Sequence, residues 1–110
     1  MNFYIGNSIH EINVRDENIE FSDELIGFIY KVDKQVLFGM NKLYDIDPYG
    51  DVEISKEDLQ DIIKICNYLL NSSLIHDYND ETEGIESLKN LIDIAQEALR
   101  RNSGLVSIGD

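Results

Sequence analysis

One proline, one cysteine and no tryptophan occur in these 110 residues, and basic side chains number only nine. Each shortage excludes something. Cys66 stands alone, so no internal disulfide can close and a four-cysteine zinc site is out of reach. Pro48 is the only proline, and no proline-, glycine- or serine-rich stretch, internal repeat or low-complexity segment divides the chain. No apolar run approaches the roughly 18 residues that span a bilayer, and the start, MNFYIGNSIHEINV, lacks a basic region followed by an apolar one. A soluble, cytoplasmic protein is the expectation. Nine dispersed Lys and Arg against 22 Asp and Glu give a formal charge of −13. A duplex binder works by neutralising phosphates, so direct nucleic-acid binding is not expected, nor attachment to an anionic membrane.

What is present is a foldable chain. At 43% hydrophobic residues the apolar content is ordinary for a globular protein, and the acidity is not that of a disordered tail. A chain this long buries about two-thirds of its unfolded surface, which suffices for one core, so residues 1–110 read as a single domain. Phe3-Tyr4-Ile5 before Gly6-Asn7 reads as a short buried strand, and Ile9, Ile12 and Val14 as its continuation in a second. Ser22 followed by Asp23 and Glu24 opens a helix whose seam is Leu25, Ile29, Val32, Val36, Met40 and Leu43, with polar Asp33-Lys34-Gln35 marking a break between two pieces. DIDPYGD is a loop, because Pro48 disfavours helix at Asp47 and Gly50 permits a turn.

Ser55 and Asp58 have capping-box spacing and start a second helix, with Leu59, Ile62, Ile63, Cys66, Leu69 and Leu70 on one stripe and an end near Asn71-Ser72-Ser73. HDYNDETEG is a solvated loop or a frayed helix start. Ile85, Leu88, Leu91, Ile92, Ala95 and Leu99 form the last stripe, closed by Arg100 and Arg101, with Gly104 as the residue after the cap. Leu105, Val106 and Ile108 read as a terminal strand. The ends echo one another, FYIGN against LVSIG, so they are expected to pair. The fold class is therefore α+β, three or four helices packed on a small sheet of the N-terminal strand or strands and the C-terminal strand.

Catalytic and metal chemistry find little footing. Asp45, Asp47, Gly50, Asp51 and Val52 match loop positions of an EF-hand, but Tyr49 stands at the fifth position and Lys56 where a bidentate glutamate should close the shell. His10 and His76 have no zinc-ligand spacing and read as surface residues, while Cys66 falls on an apolar stripe as a buried, inert thiol. No G-x-S-x-G, P-loop or G-x-G-x-x-G is present. Neither enzyme, cofactor nor metal is expected.

Acid clustering is the feature left to explain. Seven acids and one base lie between Asp45 and Asp61, and five acids and no base between His76 and Glu86. A charge run commonly serves only solubility. Interleaved with Tyr49 and Tyr78, it also offers charge for steering and aromatic area for affinity toward a basic protein surface. The first contact surface is then Asp45, Asp47, Tyr49, Asp51, Glu53, Glu57 and Asp58; the second is Asp77, Tyr78, Asp80 and Glu81. Tyr4, Tyr30, Tyr44 and Tyr68 read as core or boundary residues.

The N-terminal YIG strand, the central L-x-D-I-D-P-Y-G-D-V-E-I loop before a capped helix, and the terminal V-S-I-G-D resemble the immunity proteins of bacterial toxin–immunity systems, contact-dependent growth inhibition among them. The resemblance spans the chain in size and architecture. It implies stoichiometric inhibition of a cognate toxin protein, a basic nuclease, held inactive in the cytoplasm of the producing cell. A nucleic-acid mimic that blocks a DNA-binding protein, a structural subunit and a degenerate calcium-binding module are the other readings open at this point.

Overall fold

A computed structural model describes residues 1–109. Local sequence chemistry explains most of the helix boundaries. Ser22 Oγ accepts the Leu25 N–H at 3.2 Å and opens α1 (Asp23–Val32); Ser55 Oγ accepts the Asp58 N–H at 3.2 Å and opens α3 (Lys56–Asn71). The seam after Ser22 does break at Asp33–Gln35, a single 3-10 turn, and resumes only as the one-turn α2 (Asn41–Tyr44). Another 3-10 turn, Ser73–Asp77, joins α3 to α4 (Glu81–Arg100).

Four strands, β1 (Asn2–Ile5), β2 (Asn18–Glu20), β3 (Asp51–Ile54) and β4 (Leu105–Ile108), form one antiparallel sheet in the order β2-β1-β4-β3. The chain ends pair as their sequences suggest, Asn2 with Ile108 through Ile5 with Leu105. Period-two alternation then sorts the residues by face. Phe3, Val52, Ile54 and Leu105 look toward the helices, where α4 lies on β1 and β2 and α3 on α4. Asn18, Tyr4, Val106 and Glu53 form a row on the opposite face.

That opposite face is not left open. Tyr4 and Val106 are buried, 5% and 0% exposed, and the segment linking β1 to β2 crosses over them to reach β3, where the Ile9 N–H donates to the Glu53 carboxylate at 3.0 Å. The second strand accordingly falls at Asn18–Glu20 and not at Ile9–Val14, which corrects the periodicity reading. Side chains cause the difference. Ser8 Oγ accepts the His10 N–H, and Asn13 and Asp16 bond each other's backbone neighbourhood, Asn13 N–H to Asp16 Oδ2 at 3.0 Å and Arg15 N–H to Asn13 Oδ1 at 3.0 Å. These local bonds replace ladder bonds and turn the chain.

The end of α4 also departs from expectation. Asn102, at φ 58°, is the left-handed residue after the cap, with its N–H on the Leu99 carbonyl at 3.0 Å and the Ser103 N–H on the Ala98 carbonyl at 2.8 Å, a Schellman arrangement. Gly104 has another role. A Cβ there would overlap the Ile54 carbonyl oxygen, so its missing side chain lets β4 enter beside β3. The buried faces of the long helices are shifted too: Ile65 replaces Ile63 on α3, and Gly84, Ser87, Ile94 and Ala98 join Leu88, Leu91 and Ala95 on α4, leaving Ile85, Ile92 and Leu99 half-buried. Small residues face inward where elements approach closely.

Candidate functional site

The first acidic surface is shaped by its own carboxylates. Asp47 Oδ1 accepts the Tyr49 N–H at 2.9 Å, a side-chain-closed turn across Pro48, and Asp51 Oδ1 accepts the Gly109 N–H at 3.4 Å. Gly109 lies so close to the Tyr49–Gly50 backbone that a Cβ would stand 2.5 Å from the Tyr49 carbonyl carbon. The loop is thereby fastened to the end of β4 and holds the Tyr49 ring 73% exposed. Asp45, Glu53 and Asp58 line one shallow cavity of about 220 Å³ with Lys42, whose ammonium pairs with Asp58 at 3.1 Å. Glu53 and Glu57 line its neighbour beside Lys56.

Internal bonds thus already engage four of these carboxylates: Asp47, Asp51, Glu53 and Asp58. Asp45 and Glu57 are exposed, and their carboxylates accept no hydrogen bond and form no ion pair among the described residues. They are the carboxylates most available to a partner. Among the described residues, no three His, Cys, Asp or Glu side chains gather as a metal ion would require.

The second group separates. Tyr78 is 7% exposed: its ring packs 5.2 Å from Phe28, its hydroxyl lies 3.4 Å from Ser22 Oγ, and Gly84 makes room for it, since a Cβ there would stand 2.8 Å from the Tyr78 ring. Burial, against the opposing Ser22 bond, raises its hydroxyl above the ordinary tyrosine value. Tyr78 is therefore corrected from a contact residue to a core residue. Asp80 caps α4 by accepting the Glu83 N–H at 3.1 Å, and Glu81 is paired with His76. Asp77 is exposed.

Periodicity missed a different surface. Tyr30 is 66% exposed, against the expectation that it sits in or beside the core, and Leu37 is fully exposed, whereas Tyr44 is half-buried against the core as expected and Tyr68 is 38% exposed. Tyr30 stands edge-to-face on Tyr44 at 5.1 Å, and Phe38 on Tyr68 at 5.3 Å, with Lys64 Nζ 4.5 Å above the Phe38 ring. A cavity of about 480 Å³ opens between Tyr30, Lys31, Asp33, Lys34 and Tyr44. Desolvation first, then the Asp33 and Asp45 carboxylates, hold the Tyr44 hydroxyl above its usual value. The legible signal was the run Val36-Leu37-Phe38, two apolar residues more than the seam needs.

Most remaining cations are tied down. Arg100 and Arg101 both bond Glu97, whose carboxyl is held down to about 2, chiefly by the Arg100 hydrogen bond, and Lys56 reaches Asn102 Oδ1 at 2.7 Å.

Cys66 is fully buried, and desolvation pushes its thiol up from 9.0 to about 12. A group with a raised folded value stabilises fully below its unfolded value and loses that contribution as pH climbs toward the folded one. Native protein should therefore resist thiol-specific alkylation at mildly alkaline pH and react only on unfolding. Between pH 9.0 and about 12 its stability should fall, and a Cys66→Ala variant should show a shallower fall in denaturant midpoints across that range. Rapid native-state alkylation would contradict the burial.

Compared with protein-family models, curated proteins and solved structures, the chain matches none of them. No helix among the described residues is long and apolar enough to cross a membrane.

Proposed function

We propose that this chain is an immunity protein that binds a cognate antibacterial toxin domain, a basic nuclease, and neutralises it by stoichiometric inhibition in the cytoplasm of the producing cell. The observation that carries the reading is the acidic surface at the two ends of β3, unengaged Asp45 and an exposed, backbone-fastened Tyr49 before it and unengaged Glu57 after it, on a molecule of formal charge −13. A nuclease must be electropositive where it grips phosphates. Carboxylates presented on a rigid loop accelerate encounter with such a groove, and a fixed aromatic ring supplies contact area at little entropic cost. Fast capture matters because an unbound toxin turns over many substrates. Asp47 and Asp51 add to the local field while holding the loop in place, Glu53 fastens the Ile9 segment and Asp58 is paired with Lys42.

The test is capture from a lysate of the source cell at low and high salt, identification of the retained protein, and assay of its nuclease activity with increasing amounts of this chain. Activity should vanish near one equivalent. Asp45→Lys with Glu57→Lys should slow association about tenfold or more at low salt and much less at high salt, because the lost term is mostly long-range steering. Inhibition of unrelated DNA-binding proteins would replace this reading by a nucleic-acid mimic. A retained protein whose activity is unchanged by excess chain would end it.

A further inference from the structure

The protein is divided by charge as well as by shape. Residues 30–44 carry Lys31, Lys34 and Lys42 against Asp33 alone, a local charge of +2, whereas the other 95 residues hold six bases and 21 acids. Asp33 lines the same cavity, but its Oδ1 accepts the Met40 N–H at 3.0 Å and so closes the segment on itself. Lys42 is drawn off by Asp58, but Lys31 and Lys34 are exposed and have no carboxylate partner among the described residues. Between them and the Tyr30–Tyr44 pair lies the 480 Å³ cavity, and next along the chain stands the fully exposed Leu37.

We propose that this face is a second docking site, beside the acidic surface, for an acidic peptide segment of another protein that carries an apolar side chain. The apolar side chain enters between Tyr30 and Tyr44, which already hold each other at a fixed angle and so lose little freedom on contact. Leu37 extends the apolar contact. Flanking carboxylates of the segment meet Lys31 and Lys34. Charge decides the occupant: a basic segment would be repelled by the two ammoniums while finding far better sites elsewhere on the same molecule. Asp33 and Asp45 stand near Tyr44, but Lys31 and Lys34, unpaired among the described residues, are the two cations lining the cavity, and at physiological ionic strength acids beyond about 8 Å are largely screened. An exposed aromatic pair beside a cavity is a common mark of an interaction site.

The experiment is selection of random phage-displayed peptides on the immobilised protein, with parallel selection on a Lys31→Glu, Lys34→Glu double variant and on Leu37→Asp. All three positions are exposed, so circular dichroism should report unchanged folds. Wild type should enrich peptides that combine Asp or Glu with Leu, Phe or Trp, and synthetic copies should bind the double variant at least about tenfold more weakly, the scale of one lost charge-assisted contact. Glu57→Lys alone should leave that binding intact, which separates this site from the acidic one; Asp45 is kept native in this control because its carboxylate already acts on Tyr44. Enrichment of basic peptides, enrichment that survives both variants, or no specific enrichment overturns the proposal. Concentration-dependent self-association abolished by the double variant would overturn it in favour of a second copy of this chain.

Discussion

Replacing Gly104 with alanine is expected to destabilise the fold by about 3 kcal/mol or more, at the upper end of what overpacking costs. The new methyl group would overlap a backbone atom, the Ile54 carbonyl oxygen, and no side-chain rotation can relieve that. Backbone must move instead, and both sides of Gly104 are held: its N–H donates to Asn7 Oδ1 at 2.9 Å and its carbonyl accepts the Gly6 N–H at 3.1 Å. The strand that yields is β3, which lies at the sheet edge with only β4 beside it. Since β3 carries Asp51 and Glu53, the same substitution should disorder the acidic surface. Gly27→Ala is the control, because nothing lies within 4 Å of a Cβ there and an exposed helical alanine should stabilise by roughly 0.5–1 kcal/mol. Urea titrations of both variants check the contrast; equal midpoints would show that the β3–β4 approach is loose.

Phe3→Ala should cost about 3–5 kcal/mol, the range for deleting a buried aromatic ring. Phe3 is 0% exposed on the helix-facing side of β1, between Ile19 and Ser107, and stands edge-to-face on Phe21 with centroids 6.0 Å apart. Phe21 is equally buried and extends the β1–β2 ladder through its N–H to the Met1 carbonyl at 2.9 Å. Against a total stability of about 5–15 kcal/mol for a domain of this kind, one such loss brings the protein near its unfolding threshold. A double-mutant cycle with Phe21→Ala should return a coupling of about 0.5–1.5 kcal/mol. A cost under about 1 kcal/mol for Phe3→Ala would mean that the sheet does not depend on this contact.

The tyrosines show where sequence reading reaches its limit. Tyr78, set among Asp77, Asp80, Glu81 and Glu83, has the neighbours of a surface residue, yet the 3-10 turn before it aims Ile75 and Tyr78 together at the core. Tyr30 is the reverse case, directly after the apolar run 25–29, and it points to solvent. Neighbours in sequence set average polarity; which way one ring points depends on elements brought up from elsewhere. The strand Asp51–Ile54 was missed for a related reason. Its alternation of exposed and buried residues spans only four positions, too few to stand apart from a loop leading into a helix cap.

The sequence by itself determined the α+β class, the pairing of the two chain ends, the serine caps of α1 and α3, the break after Val32 and the strongly acidic character. These depend on contacts a few residues apart or on composition, so they are written in short windows of the chain. Only the tertiary structure decided that β3 completes the sheet, that Gly104 and Gly109 are close-approach positions, that Glu53 bonds the segment crossing the outer face, and that Lys31 and Lys34 meet two tyrosines on one exposed side. Each of these joins residues distant in sequence, and the direction of a side chain there is fixed by packing, which no local periodicity encodes.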